Sequence, residues 1–222
     1  MVSSKEWEKI YADSRHDSIW PWSEVVSSVH RYGLNQFKTP MRVLELGSGA
    51  GANIPFFEKI NANYYGVDFS PTAINRLKIR FPHLANNLVN ANFCETIPFD
   101  ETFDIILDRG SLTHNYTESI QQCLSLLREK SHKDTIFIYF NWFSTESSHF
   151  NEGEPTQDPF CRRNFSSGNF VDTGVVHFFS QEHLQSFFSE FKFLELNHFK
   201  YQQFVPAQQS TLAYWNFVMK NH

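Results

Sequence analysis

An acidic residue, a run of alternating glycines and a second acid form the part of this sequence best equipped for chemistry. In residues 43–52, VLELGSGAGA, an apolar run ends at Leu46, and Gly47, Gly49 and Gly51 follow in alternation. Glycine lets the backbone turn sharply and lets a ligand approach the start of the next helix. Asp68 closes a second apolar run, YYGVD, about twenty residues later, where a carboxylate can accept both hydroxyls of a ribose. The pattern Gly47-x-Gly49-x-x-Ala52 also satisfies the dinucleotide fingerprint, so the turn and Asp68 suit either of two adenosine ligands. Glu45, two residues before the first glycine, separates them. It can face the ammonium group of a methionine-like ligand, whereas a pyrophosphate gains nothing from a carboxylate there. The turn also holds no Lys or Arg.

Other candidates follow later in the chain. Asp108-Arg109-Gly110-Ser111-Leu112 directly follows the apolar run FDIIL. The C-terminal end of a central strand is where ligands sit in open α/β sheets. There Asp108 can take a proton or orient a ligand, and His114 on the following turn is a candidate general base. Trp142 leaves the last long apolar run at the same rim. Arg162 and Arg163 can bind a phosphate or carboxylate of a substrate, and His177 is a further base or substrate contact. His149 with Glu152 or Glu154 has the residue types of a metal site, but on an irregular segment. Cys94, Cys123 and Cys161 have no metal-like spacing. No metal is expected.

These residues need a frame to position them, and the apolar periodicity supplies one. Residues 42–46, 64–68, 103–108 and 135–142 read as buried parallel strands, and 87–91 as a weak one. Helices are expected near 52–59, from the Ser70-Pro71 cap to about 80, over 115–129 and over 181–190. Before the first strand, Trp7, Ile10 and Tyr11 lie at helical spacing. Pro21 breaks that helix, and Ser23 caps a second one over about 24–32, ended by Gly33. Residues 144–172 are polar and aperiodic, which in a compact domain marks a functional or mobile loop. Residues 193–201 and 212–220 alternate as strands and leave no room for a helix between them, so they pair antiparallel. The whole is an α/β, doubly wound, mostly parallel seven-stranded sheet with a reversed last strand. It forms one domain over 1–222, with a helical cap over 1–36 and a substrate-loop insertion over 144–172.

Composition sets the outer bounds. The chain has 222 residues, enough for one domain with a substantial core. The net charge of -5 and the lack of any Lys/Arg run argue against nucleic acid. No run approaches the roughly 18 apolar residues of a membrane helix. The opening MVSSKEWEKIYADS has no apolar stretch of a secretion signal, and the sparse, odd set of cysteines suits a reducing compartment. A cytoplasmic protein without membrane partners is expected. The 24 phenylalanines, many beyond residue 137, either fill the core or line an aromatic site.

The pieces VLELGSGAGA, YYGVDFSPTAI, IPFDETFDIILD and the ending AYWNFVMK together resemble the class I S-adenosylmethionine-dependent methyltransferases. The segment DRGSLTHN, and Trp7-x-x-x-Tyr11 followed by Pro21-Trp22, look like the small-molecule members related to the thiopurine and tellurite groups. The resemblance implies S-adenosyl-L-methionine as cofactor. Glu45, Gly47, Ser48 and Gly49 would hold its methionine end, Asp68 its ribose, and Phe69 its adenine. Asn92 or Phe93 would take the remaining adenine position, and Asp108 would stand beside the cofactor at the strand end. It further implies that the N-terminal aromatics Tyr11, Trp20 and Trp22 close over the site. Trp22, Trp142, Arg162 and Arg163 would then face the substrate. The expected activity is in-line transfer of a methyl group to an O, N or S atom of a small molecule. The rivals are an NAD-dependent oxidoreductase using the same turn, and a cofactor-binding relative without chemistry.

Overall fold

Strands and helices alternate along the chain, as the apolar pattern requires. The computed structural model describes residues 4–38 and 40–221, so the first three residues of the helical cap lie outside it. Helix α1 (Ser4–Ala12) and α2 (Ser23–Ser28) come first, and α2 runs on into a wider π-helical turn ending at Gly33. Then follow β1 (Arg42–Leu46), α3 (Ile54–Lys59), β2 (Asn63–Asp68), α4 (Pro71–Arg80), β3 (Leu88–Asn90), β4 (Phe103–Arg109), α5 (Thr117–Glu129) and β5 (Ser131–Phe143). Beyond these lie α6 (His149–Glu152), β6 (Glu154–Pro155), β7 (Cys161–Arg163), β8 (Val176–His177), α7 (Gln181–Phe187), β9 (Phe191–Phe204) and β10 (Ala207–Asn221).

The seven-stranded sheet has the order β3-β2-β1-β4-β5-β10-β9. All neighbours are parallel except β10, which runs antiparallel to both β5 and β9. The strands read as continuous apolar runs because both faces are covered. Leu44, Leu46, Ile106, Phe137 and Tyr139 pack on one face with Ile120, Leu124 and Leu127 of α5 and Phe188 after α7. Val43, Ile105, Leu107, Ile136 and Ile138 pack on the other with Val25, Phe57, Ile74 and Leu77 from α2, α3 and α4. A third, smaller cluster of Phe165, Phe170, Val176 and Phe178 gives the segment after β5 a core of its own. Ordered structure therefore replaces the aperiodic loop expected over 144–172. Spaced phenylalanines, rather than a helical or strand period, collapse it into the small sheet β6-β7-β8.

Two caps differ in outcome. The Ser70 hydroxyl accepts from the Ala73 N–H at 3.0 Å and starts α4, as the Ser-Pro pair predicts. Ser23 does not cap α2: its hydroxyl faces Glu24, and the helix begins at Ser23 itself. The preceding Trp22 N–H goes instead to the Asn53 side chain at 3.2 Å.

The chain passes from β1 through β2 to β3 on one side, then crosses to β4 on the other. That reversal opens a crevice above the C-terminal ends of β1, β2 and β4. In register, Leu46 stands beside both Val67 and Asp108, so Gly47, Asp68 and Arg109 reach the same rim.

Asp108 fixes the rim from below. It is fully buried, and its Oδ1 accepts the N–H of Ser111 at 3.1 Å, the N–H of Leu112 at 3.0 Å and the Ser111 hydroxyl. Its Oδ2 accepts the Trp142 indole N–H at 2.8 Å. Burial raises its pKa to about 6, against the pull of these donors. Trp142→Phe removes one donor from a buried carboxylate and leaves a void. It should cost about 2–4 kcal/mol in urea unfolding with an unchanged denaturant slope. A loss under about 0.5 kcal/mol would show that the Asp108 network does not hold the rim.

Candidate active site

The glycine turn takes its shape from backbone that only glycine adopts readily. Gly47 and Gly49 have φ of 65° and 50°, and a Cβ on either would collide, with Ser111 and with the Tyr11 ring respectively. Asp68 ties the turn to the neighbouring strand. Its Oδ2 accepts the Gly49 N–H at 2.8 Å, and its Oδ1 the Ser70 N–H at 2.9 Å. Burial raises the Asp68 pKa to about 6. Glu45 lies beneath the turn, where its two oxygens accept from Asn53 Nδ2 at 2.7 Å and Tyr64 Oη at 2.6 Å. Burial raises its pKa to about 7, with these neutral donors pulling it down. Neither carboxylate has a basic side chain within ion-pair distance among the described residues.

Three cavities meet above this floor. The first, about 50 Å³, is lined by Glu45, Gly47, Ser48, Gly49, Trp22 and Asn53. The second, about 90 Å³, is lined by Tyr11, Asp68, Phe69, Phe93, Ser111 and His114. The third, about 750 Å³, is lined among others by Asn141, Phe143, Phe170, Tyr214 and Asn216. The second and third share Trp7, His16, Arg109, Gly110 and His114, which form the passage between them.

The N-terminal segment roofs the two smaller cavities. Glu8 of α1 accepts from the Ser70 hydroxyl, from Thr72 Oγ1 at 2.5 Å and from the Thr72 N–H at 3.3 Å. A carboxylate at the N-terminus of α4 also meets the positive end of the helix dipole. Arg76 of α4 donates to the Tyr11 carbonyl at 2.8 Å. The roof therefore rests on the helix that follows Asp68.

The expected site residues fall into two groups. Tyr11, Glu45, Gly47, Ser48, Gly49, Asp68, Phe69 and Phe93 line the two smaller cavities, with Phe69 and Phe93 in ring contact at 4.6 Å. Trp22 lines the turn cavity rather than the larger one, with the Arg109 guanidinium 3.5 Å from its ring centroid. His114 lines the passage. Its Nδ1 lies 3.1 Å from the Val175 carbonyl, and burial lowers its pKa to about 4.

The others are elsewhere. Trp20 is 76% exposed on the surface and borders none of these cavities. Asn92 folds onto its own turn, accepting from the Cys94 N–H at 2.9 Å and donating to Glu95. Asp108 is spent on the rim hydrogen bonds and faces none of the cavities. Trp142 is buried in the core, stacked on Tyr139, and serves Asp108. Arg162 donates to the carbonyls of Phe150, Pro159 and Cys161 and covers the Phe150 ring, so its cation braces the insertion. Arg163 is exposed beside a separate surface cavity. His177 is fully buried in β8, just beyond the insertion, and lines none of these cavities.

Two residues bordering all three cavities escape sequence reasoning. His16 lies in a polar turn after α1 with no motif around it. Arg109 is chain-adjacent to Asp108 yet pairs with Glu24 at 3.0 Å, an ion pair 85 residues apart in sequence. Asn141 is a third such residue in the larger cavity. It sits at φ 56°, and its N–H donates to Asn216 Oδ1 at 2.9 Å. A non-glycine residue in that conformation at a cavity wall marks a place where the fold over-determines the backbone.

Chemically, the floor suits a ligand that carries positive charge and hydroxyl groups. Two buried carboxylates without ion-pair partners among the described residues attract a cation, and the buried Ser48 hydroxyl has no partner among them either. These features fit S-adenosylmethionine, whose amino-acid end is an ammonium and whose ribose carries two hydroxyls.

Residues 43–130 match a family model described as a methyltransferase domain. No protein of curated function matches in sequence. Many solved structures share the fold. One is the Burkholderia thailandensis 1,6-didemethyltoxoflavin-N1-methyltransferase with bound 1,6-didemethyltoxoflavin and S-adenosylhomocysteine. It has 17% identity, a TM-score of 0.66, and coverage of 98% of this chain and 86% of that one. A second, TehB from Haemophilus influenzae, has 14% identity, a TM-score of 0.64, and coverage of 97% and 67%. A third, a SAM-dependent methyltransferase from Methanosarcina mazei, has 12% identity, a TM-score of 0.65, and coverage of 87% and 96%. The methyltransferase-domain match spans the glycine turn, Asp68 and Asp108, and nearly the whole chain shares the fold of these solved structures.

Proposed function

We propose that this protein transfers a methyl group to a small, flat, uncharged acceptor held in the larger cavity. The observation that carries the reading is the passage at Trp7, His16, Arg109, Gly110 and His114, where that cavity opens onto the end of the Asp68 cleft. S-adenosylmethionine supplies the methyl group on a cationic sulfonium when bound. In-line transfer disperses that charge, so the protein's contribution is alignment in a dry site. The walls suit the acceptor class. Phe143, Phe170, Phe199 and Tyr214 offer ring faces, and Asn141, Asn169 and Asn216 offer neutral hydrogen-bonding groups. Both arginines lining the cavity are paired, Arg109 with Glu24 and Arg15 with Asp172, so neither calls for an anionic acceptor.

His114 takes a definite electrostatic role. Burial holds its pKa at about 4, so the ring is neutral at pH 7 and adds no positive charge beside the sulfonium. A base with that pKa is weak for deprotonating an alcohol. The reading therefore favours acceptors that are nucleophilic without prior proton loss, such as a ring nitrogen, or those that ionise readily, such as a thiol. The test is S-adenosylhomocysteine formation with a panel of heteroaromatic amines, thiols and phenols. Production with ring-nitrogen or thiol acceptors supports the reading. Cofactor binding with no turnover on any acceptor would favour the non-catalytic relative, and tight NAD binding the oxidoreductase.

Three further outcomes are expected. Asp68→Ala should weaken S-adenosylhomocysteine binding about 100-fold by calorimetry, since it removes charge-assisted hydrogen bonds. The same substitution should cost far less with a 2′,3′-dideoxy analogue, and equal losses for both ligands would refute the ribose role. Affinity should also depend on pH. Both carboxylates have raised pKa values, about 7 for Glu45 and about 6 for Asp68, so the ionised pair is complete only above about pH 7. As pH falls through these values, Glu45 must lose a proton to receive the ammonium group and Asp68 must lose one to accept both ribose hydroxyls. Affinity for S-adenosylhomocysteine should then drop about 10- to 100-fold between about pH 8 and pH 5.5. A flat profile would show that neither acid meets the ligand in its ionised form. Lastly, Glu8→Ala unties the roof from α4. Hydrogen exchange over α1 should rise while the sheet stays protected, and unchanged protection of α1 would mean that Glu8 does not hold it.

A further inference from the structure

Away from the cleft, the insertion gathers a second set of functional side chains. In the antiparallel pair of β7 and β8, Cys161 stands directly opposite His177. Asp158 precedes Cys161 by one turn, and its carbonyl receives the Cys161 N–H at 3.0 Å. One ligand atom from each of Asp158, Cys161 and His177 lies within 4.8 Å of the other two. Cys161 and His177 are fully buried.

The histidine is the second, independent observation. Among the described residues neither ring nitrogen of His177 has a hydrogen-bond partner, although both are buried. A buried polar atom left unpaired costs about 1–3 kcal/mol, so a ring with both nitrogens unmet marks a missing partner. Beside it, the His183 ring lies 5.5 Å away, and its buried Nδ1 is also without a partner. Asp158 is already oriented: Oδ2 accepts the Thr117 N–H at 2.8 Å and Oδ1 the Phe160 N–H at 3.0 Å. Both oxygens keep a lone pair.

We propose that Asp158, Cys161 and His177 bind a zinc ion that fastens the insertion to the start of α5. A thiolate, an imidazole and a carboxylate form a mixed S, N, O set that suits zinc rather than magnesium or calcium. Tetrahedral bonds of about 2.0–2.3 Å set ligand atoms about 3.5 Å apart, so the ion draws these three together by about 1 Å. Water or His183 completes the fourth position. The Cys161 thiol, which now points to the Asn115 carbonyl at 3.8 Å, gives up its proton to solvent on binding. The role is structural. Asp158 bonds the first N–H of α5, and β8 continues from Val175, whose carbonyl faces His114. The ion thereby braces the wall of the acceptor cavity without touching the cofactor floor.

The test uses the full chain, reduced and stripped of metal by chelator. Cobalt(II) should bind at one ion per chain with a thiolate-to-cobalt charge-transfer band, and zinc should displace it. Zinc should also raise the melting temperature. Cys161→Ser should abolish the band and weaken zinc binding by more than about 100-fold, beyond what loss of a supporting group costs. The double variant Cys94→Ser/Cys123→Ser should retain the band. His177→Ala should behave like Cys161→Ser; if it fails to fold, Cys161→Ser with a native circular dichroism spectrum decides. No cobalt uptake by the native chain, or a band that survives Cys161→Ser, would overturn the proposal.

Discussion

The carboxylate of Asp68 is the constraint on which the rest of the site depends. Its two oxygens bond the turn after β1 to the start of α4, through the N–H groups of Gly49 and Ser70. Each glycine in that turn has positive φ, a conformation with little intrinsic preference even for glycine. The hydrogen bonds make it unique. Ser70 then caps α4, Glu8 sits on the same helix start, and α1 closes the roof. One buried acid thus sets the floor, one wall and the lid of the cleft.

Burying that acid, with Glu45 and Asp108 nearby, costs several kcal/mol each if nothing compensates. Here the compensation is a set of neutral donors, namely backbone N–H groups, Asn53, Tyr64, Ser111 and the Trp142 indole. An arginine in their place would cancel the negative charge and compete with a cationic ligand. Neutral donors hold the carboxylates in position and leave their charge uncancelled. The raised pKa values of all three acids are the signature of that choice, and those of Glu45 and Asp68, about 7 and about 6, place the binding floor near neutrality in its protonation balance.

Much of this was legible in the sequence, for physical reasons. Strands buried on both faces must be apolar throughout, so β1, β2, β4 and β5 stand out, and alternating glycines announce a backbone that other residues resist. The pairing of β9 with β10 follows from alternation and a turn too short for a helix. What sequence does not encode is the direction of a side chain at a strand end. Trp142 and Asp108 are the residue types a substrate site uses, yet they turn inward and satisfy each other. Arg162 likewise has three carbonyls to bind, all from its own insertion. His16 enters the site only because α1 folds across the sheet, a long-range fact with no local pattern.

The insertion carries the same lesson further. Its order comes from phenylalanines whose spacing obeys no period, because they pack around one another rather than against a regular element. A sequence search for a metal site weighs neighbours such as His149, Glu152 and Glu154. In the fold, His149 is buried and turned to the Ser147 hydroxyl, while the two glutamates are exposed. Cys161 and His177 lie sixteen residues apart and become opposite partners only through strand register. That register depends on the small aromatic core, so any side chain that meets another in the insertion does so after the core has formed. The larger cavity borrows Phe143 and Phe170 from the same contacts. Its shape is therefore tied to the packing of the insertion, while the floor at the glycine turn is tied to Asp68.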